Sequence, residues 1–301
     1  MEGHSVSQSD LKIFYRPGQN SNPDSYSPSA AKPAKVMDAW LNEWPDLEVS
    51  NFDPIRKEAL YEVHKRDYVD AVFDLSEPNG FGTYDPTVNT SLLYTCGSLL
   101  AATKHIMDHG GVAVSPTSGF HHAAYAHGGG YCTFNGLALA AVVAADEGHR
   151  VAIIDCDYHY GDGTADILST LEASNIKHES FGAKYHDSKQ GMAYLSHLYG
   201  MWMGGYFDDV DLILYQAGAD VHVDDPLGGV LTTEQMQERD RIMFQCSQHH
   251  GIPLVWTLAG GYLLDAEGSP APVIALHSNT IRACLQSIAG QVPQGAGIFS
   301  M

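Results

Sequence analysis

Cysteine is scarce and shows no pairing pattern. Five residues (Cys96, Cys132, Cys156, Cys246 and Cys284) are scattered over 301, with no Cys-x-x-Cys pair and an odd one left over. That usage suits a reducing compartment better than a disulfide framework. Cations are scarce too: 16 Lys and Arg stand against 36 Asp and Glu, a formal net charge of −20. A chain this acidic is poorly suited to tracking a phosphate backbone, so no direct nucleic-acid contact is expected, whereas a cationic ligand is compatible with the charge. Long hydrophobic runs are missing. The longest nearly unbroken one, 137–145, falls far short of the ~20 residues that cross a bilayer. Residues 1–10 have neither the charged start nor the apolar core of a signal peptide. The expectation is a cytoplasmic protein without a membrane partner, and the 44% apolar fraction is enough for a large core.

What is present is an alternation of short apolar runs and longer amphipathic ones. Strands are predicted over 11–15, 111–115, 151–154, 211–215 and 253–258, and helices over 30–43, 89–109, 135–148, 164–171, 233–249 and 272–289. The β-branched run 151–154 fits a buried parallel strand, and Thr232 followed by Glu234 and Gln235 offers N-terminal capping for the helix after it. Strand–helix alternation of this kind predicts an α/β fold. The whole of 1–301 reads as a single domain, a mostly parallel sheet flanked by helices, with 1–10 flexible. The Pro/Ser/Asn-rich stretch 17–33 reads as a surface loop.

Chemistry-bearing residues gather after the strand ends. Gly119-Phe-His-His-Ala123 follows one strand, Asp155-Cys-Asp-Tyr-His-Tyr-Gly-Asp-Gly-Thr164 a second, Ala217-Gly-Ala-Asp220 a third and Gly260-Gly-Tyr262 a fourth. In an open parallel sheet, ligands bind outside the carboxyl ends of the strands. Asp157 and His159, two apart in an extended segment, point to one side, and Asp220 can join them. One imidazole and two carboxylates with a position left open describe a catalytic metal site. Zn²⁺ is the first choice, and the oxygen-rich set also accepts Fe²⁺, Mn²⁺ or Co²⁺. The competing reading of 155–164 is an Asp-rich turn that caps the following helix. His121 and His122 can hydrogen-bond a water at the metal and move its proton, with Asp155 and Asp162 as orienting partners. A His-His pair can equally be two imidazoles solvated at the surface. Tyr262 is either a satisfied core aromatic or a phenol that donates to a developing oxyanion.

Taken in order, Gly119-Phe-His-His-Ala123, Gly129-Gly-Tyr-Cys-Thr-Phe-Asn135, Asp155-x-Asp-x-His-x-Gly-Asp-Gly-Thr164, Ala217-Gly-Ala-Asp220 with Asp225-Pro-Leu-Gly228, and Gly260-Gly-Tyr262 resemble histone deacetylase-like amidohydrolases of the arginase–deacetylase fold. The resemblance implies that Asp157, His159 and Asp220 are zinc ligands. It puts His122 in the place of the general base, with His121 beside it and Asp155 and Asp162 as their carboxylate partners. Tyr262 takes the position that polarises the scissile carbonyl, and Gly130 with Tyr131 forms the channel wall. Asp155, Asp157, His159, Ser180 and Phe181 match an inner monovalent cation site, usually K⁺. Tyr160, Gly182, Tyr131 and Ala259 depart from the family pattern, and 183–197 lacks the usual Pro/Gly-rich loop.

The implied activity is removal of an acyl group from an Nε-acylated lysine in a protein or peptide. An acetylated polyamine is the alternative substrate, for which Asp85 or Glu77 would supply a carboxylate at the mouth. A non-catalytic acyl-lysine reader is the third reading. An arginase-like two-metal site is disfavoured, since Tyr158, Tyr160 and His222 supply no extra carboxylates.

Overall fold

The computed structural model describes residues 11–23 and 25–290. The flexibility expected of 1–10 therefore lies outside the described residues. Strands β1 (Leu11–Phe14), β2 (Glu48–Ser50), β3 (Val112–Ser115), β4 (Val151–Asp155), β5 (Ile176–Ser180), β6 (Leu212–Gly218) and β7 (Leu254–Ala259) form one sheet. Its order is β2-β1-β3-β7-β6-β4-β5, and every pairing is parallel. The central strands β4, β6 and β7 are buried from end to end, as a parallel sheet covered on both faces requires.

Alternate residues serve opposite faces. Ile154, Ile213, Tyr215 and Trp256 join a core with α1 (Lys32–Glu43), α6 (Gly191–Met203), α7 (Thr233–His250) and α8 (Ala271–Ile288). Ile153, Leu212, Leu214 and Val255 join the other core with α2 (Arg66–Phe73), α3 (Pro86–His109), α4 (Gly136–Asp146) and α5 (Asp162–Thr170). The predicted α/β class with a mostly parallel sheet is the one observed. The capping expected at Thr232 forms as a capping box with Gln235, whose N–H donates to Thr232 Oγ1 at 3.3 Å.

Four elements escape the sequence reading. β2 is only three residues long. α2 is only eight residues, about two turns. β5 is an edge strand whose middle residues Lys177, His178 and Glu179 stay partly exposed, so its sequence lacks an apolar run. α6 is mostly apolar around its circumference and contains Gly191 and Gly200, so it shows no amphipathic period.

Between β3 and α4 the chain is tied down by a buried imidazole. His64 Nδ1 donates to Ala124 O at 2.9 Å, and Asn135 N–H donates to His64 Nε2 at 2.8 Å. Asn135 in turn caps α4 through Ala138 N–H and holds Ala123 O and Thr164 Oγ1. Both ring nitrogens are thus committed in the neutral tautomer, and burial pushes the His64 pKa down to about 4. The unfolded chain, with His near 6.5, then binds more protons than the folded one between pH 6.5 and 4, so stability falls as pH falls through that window. His64 is expected to cost about 2 kcal/mol at pH 5 relative to pH 7. Urea unfolding at the two pH values, with His64→Gln lacking that increment, checks it; equal pH dependence in both proteins would refute it.

Candidate active site

The strands that lead into the sequence motifs, β3, β7, β6 and β4, are immediate neighbours in the sheet. Their C-terminal ends therefore open onto one edge. β4 delivers Asp155, and the turn after it carries Asp157 (1% exposed) and His159; the turn after β6 carries Asp220 (1% exposed). Donor atoms of Asp157, His159 and Asp220 all lie within 4.8 Å of one another. His159 Nδ1 is 3.0 Å from Asp220 Oδ2 and 3.3 Å from Asp157 Oδ1.

Two facing carboxylates taken out of water need a cation. Burial and the charge of Asp157 push Asp220 up to about 7, while hydrogen bonds to Asp157 and Asp220 raise His159 to about 10. The donor set is therefore electrostatically incomplete by itself and fits a divalent ion. The structure thus brings the three candidate residues together.

The tandem histidines stand against this cluster, their ring centroids 4.1 Å apart. His121 Nδ1 donates to Asp155 Oδ2 at 2.7 Å and His122 Nδ1 to Asp162 Oδ1 at 2.6 Å. Each Nε2 is left for the site, that of His121 lying 3.6 Å from Asp157 Oδ1. The two rings titrate apart. Burial works against charge on His121, but Asp155 and Asp157 outweigh it and hold the ring at about 9. His122 is lowered by burial and by His121, against the pull of Asp162. At neutral pH the pair is thus one imidazolium and one neutral imidazole.

Tyr262 follows β7. Its N–H donates to Asp225 Oδ2 at 2.7 Å, and burial together with the charges of Asp220 and Asp157 raises its phenol well above the usual value. Gly260 precedes it at φ +32°, where a Cβ would stand 2.2 Å from the Asp220 carboxylate carbon; no side chain fits. Tyr131 lies 6.1 Å from Tyr262 and 6.1 Å from Phe81, ring to ring. At neighbouring Gly130 (φ +52°) a Cβ would meet His122 Cδ2 at 2.4 Å, so these two channel positions border the histidines and the tyrosine.

The monovalent-cation residues are gathered in part. Asp155 and Ser180 are register partners on β4 and β5. A Cβ at Gly182 would stand 2.4 Å from the His159 carbonyl oxygen, so that segment abuts the Asp157–His159 turn. The Phe181 carbonyl accepts from Lys184 N–H at 2.9 Å and Tyr185 N–H at 3.1 Å, and its ring packs on Tyr194. Asp85 caps α3, accepting from Thr87 N–H at 2.8 Å. Glu77 forms no ion pair among the described residues.

Sequence reasoning missed two supports. Gln216 Nε2 donates to Asp155 Oδ1 at 2.8 Å from inside an apolar strand. Lys32, 1% exposed at the start of α1, donates through Nζ to Ala259 O at 3.1 Å and to Gly260 O. Burial pushes its ammonium down to about 8 against Asp220, Asp157 and Asp225. Lys32→Met removes a donor from both carbonyls, leaving Ala259 O with Ala219 N–H at 3.4 Å, and a buried acceptor left unmet at Gly260 costs about 1–3 kcal/mol. The Tyr262 turn then loses its anchor. The expected result is a lower melting temperature and a kcat reduced by up to ~10²-fold with KM little changed, partly rescued in Lys32→Arg.

Comparison with known proteins is consistent with this geometry. Residues 28–181 and 183–273 match the family model of the histone deacetylase domain. An uncharacterized protein of Picosynechococcus is 30% identical over 192 residues, covering 58% of this chain and 63% of its own length. Histone deacetylase 6 of Caenorhabditis elegans is 29% identical over 188 residues, 51% of this chain and 19% of its own. The matched stretch thus spans less than two thirds of either curated relative. The crystal structure of acetylpolyamine aminohydrolase from Burkholderia pseudomallei superposes with a TM-score of 0.72 at 17% identity, over 92% of this chain and 99% of that one, which is a likeness of fold.

Proposed function

We propose that this chain, which belongs to the histone deacetylase domain family, is a metal-dependent amidohydrolase that removes an acyl group from the Nε-amine of an acylated lysine in a protein or peptide. The observation that carries the proposal is the pair of His–Asp dyads set side by side against the Asp157–His159–Asp220 cluster. A divalent ion held by those three residues, Zn²⁺ or Fe²⁺, would supply a Lewis acid for water and for the amide carbonyl.

The chain's own groups do the rest. Neutral His122 takes a proton from the water as its oxygen bonds to the acyl carbon, and Asp162 holds the ring in the tautomer that leaves Nε2 free. The Tyr262 hydroxyl donates to the carbonyl oxygen as negative charge develops there. The C–N bond then breaks as a histidine returns the proton to the leaving amine, giving a carboxylate and a free amine. His121, kept cationic beside Asp155, balances the developing charge. A K⁺ held near Asp155, Asp157, His159 and Ser180 is part of the proposal as a structural ion.

An acetylated polyamine is the second reading, favoured by the net charge of −20. The test is amine release by metal-loaded protein from lysine peptides bearing acetyl to long-chain acyl groups, and from acetylated putrescine and spermidine. Peptide turnover supports the deacylase. Turnover of the polyamines alone moves the substrate to a small amine, and silence across the panel with metal bound overturns the hydrolase in favour of an acyl-lysine reader.

A further inference from the structure

The end of β7 is held by Lys32. The ends of β4 and β6, which lead to Asp157 and Asp220, meet a second buried cation. Arg239 stands seven residues into α7 and is fully buried, a place an arginine takes only when its donors are met. Its Nη1 donates to Gly218 O at 2.7 Å and lies 3.5 Å from Cys156 O. Gly218 closes β6 two residues before Asp220, and Cys156 follows β4 immediately before Asp157. At that point the two segments touch. Cys156 N–H donates to Gln216 O at 3.0 Å, and a Cβ on Gly218 would stand 2.5 Å from Asp157 Cα. One guanidinium thus faces both backbones where the turns to the two carboxylates diverge.

The guanidinium is itself fixed from behind. Nε donates to Asp240 Oδ1 at 2.9 Å, and Nη2 lies 2.8 Å from the same oxygen. Asp240 is 1% exposed and also accepts from the Tyr215 hydroxyl on β6 and from Thr280 Oγ1 on α8, the latter at 2.7 Å. The Arg239 charge is therefore balanced within its own pair. A buried ion pair adds little stability over packed apolar side chains of similar volume. What it supplies here is direction: a planar fork of fixed donors, carried by α7 and α8 and set against two strand ends.

We propose that Arg239, oriented by Asp240, is a positioning residue that sets the spacing of Asp157 and Asp220 and so preforms the donor set for a divalent ion. The inference rests on the metal-centre reading.

The test measures Zn²⁺ affinity by competition with a chromophoric chelator, and the visible spectrum of the Co²⁺-loaded protein, whose d electrons report ligand geometry where d¹⁰ Zn²⁺ is silent. Wild type is compared with Arg239→Met, which removes every donor, and with Arg239→Lys, which keeps the charge and a donor for Gly218 O. Asp157→Ala removes a ligand, and Leu99→Ala truncates the other core without touching the site. All proteins are measured below their melting temperatures. Arg239→Met is expected to bind Zn²⁺ about 10–100-fold more weakly and to shift the Co²⁺ bands even at saturating metal. Arg239→Lys is expected to lie between the two, and Leu99→Ala to match wild type in both readouts despite melting earlier. Wild-type affinity and bands in a folded Arg239→Met would overturn the inference, as would an equal loss in Leu99→Ala, which would make the effect one of stability alone. Should Arg239→Met not fold, wild-type affinity and bands in Arg239→Lys would overturn it. Wild type binding Zn²⁺ no better than Asp157→Ala would refute the metal-centre reading itself.

Discussion

His122→Ala is expected to lower kcat by about 10²–10⁴, the range for losing a positioned general base, with little change in substrate binding. The argument starts from electrostatics. Two imidazoles 4.1 Å apart cannot both carry charge cheaply, and their surroundings decide which one does. His121 sits among Asp155, Asp157 and Asp220 and is raised to about 9, so it is already protonated at neutral pH. His122, lowered by burial and by the neighbouring imidazolium, is the one free to accept a proton.

The same asymmetry sets the pH profile. A base must be neutral to act, so a lowered His122 carries activity to more acidic pH than an ordinary histidine near 6.5 would allow. Asp162→Asn removes a partner that raises His122, and the acid limb of kcat/KM is expected to move further down. A limb that moved up, or a His122→Ala enzyme with near-normal kcat, would give the proton transfer to another group. His121→Ala in that event would be the more damaging substitution.

Legibility in the sequence followed locality. The α/β class was readable because β4, β6 and β7 each open on an unbroken apolar run, and the Asp157–His159 pair from its spacing after a strand end, although the two lie in a bend and not in the extended segment expected. Asp220 joined them only through the rule that strand ends converge. The groups that hold the site in shape left no such mark. Lys32 reads as a solvated helix residue, and nothing near it announces carbonyls more than 220 residues away at Ala259 and Gly260. His64 binds Asn135 across 71 residues, and Gln216 reaches Asp155 across 61. Around Tyr26 a Pro/Ser-rich stretch reads as surface, and the ring is 68% exposed, while its stacking on Tyr262 is a tertiary fact that composition does not carry.

Tyr262→Phe is expected to cost about 10²–10³ in kcat, the usual loss when one oxyanion donor is removed. Burial and the charges of Asp220 and Asp157 hold the phenol protonated far into the alkaline range, so it remains a donor at any working pH and adds no alkaline limb. The substitution is a clean probe because the ring stays. Its stacking on Tyr26 and its neighbour Tyr131 are kept, and the turn is still held by Asp225 on the Tyr262 N–H and by Lys32 on Gly260 O. Melting temperature and KM should therefore be close to wild type, which separates lost hydroxyl chemistry from lost structure. Equal falls in kcat and kcat/KM would place the interaction in the transition state. A variant that kept most of its activity would reduce Tyr262 to a wall of the channel, and the oxyanion would need another donor among the groups around Asp220.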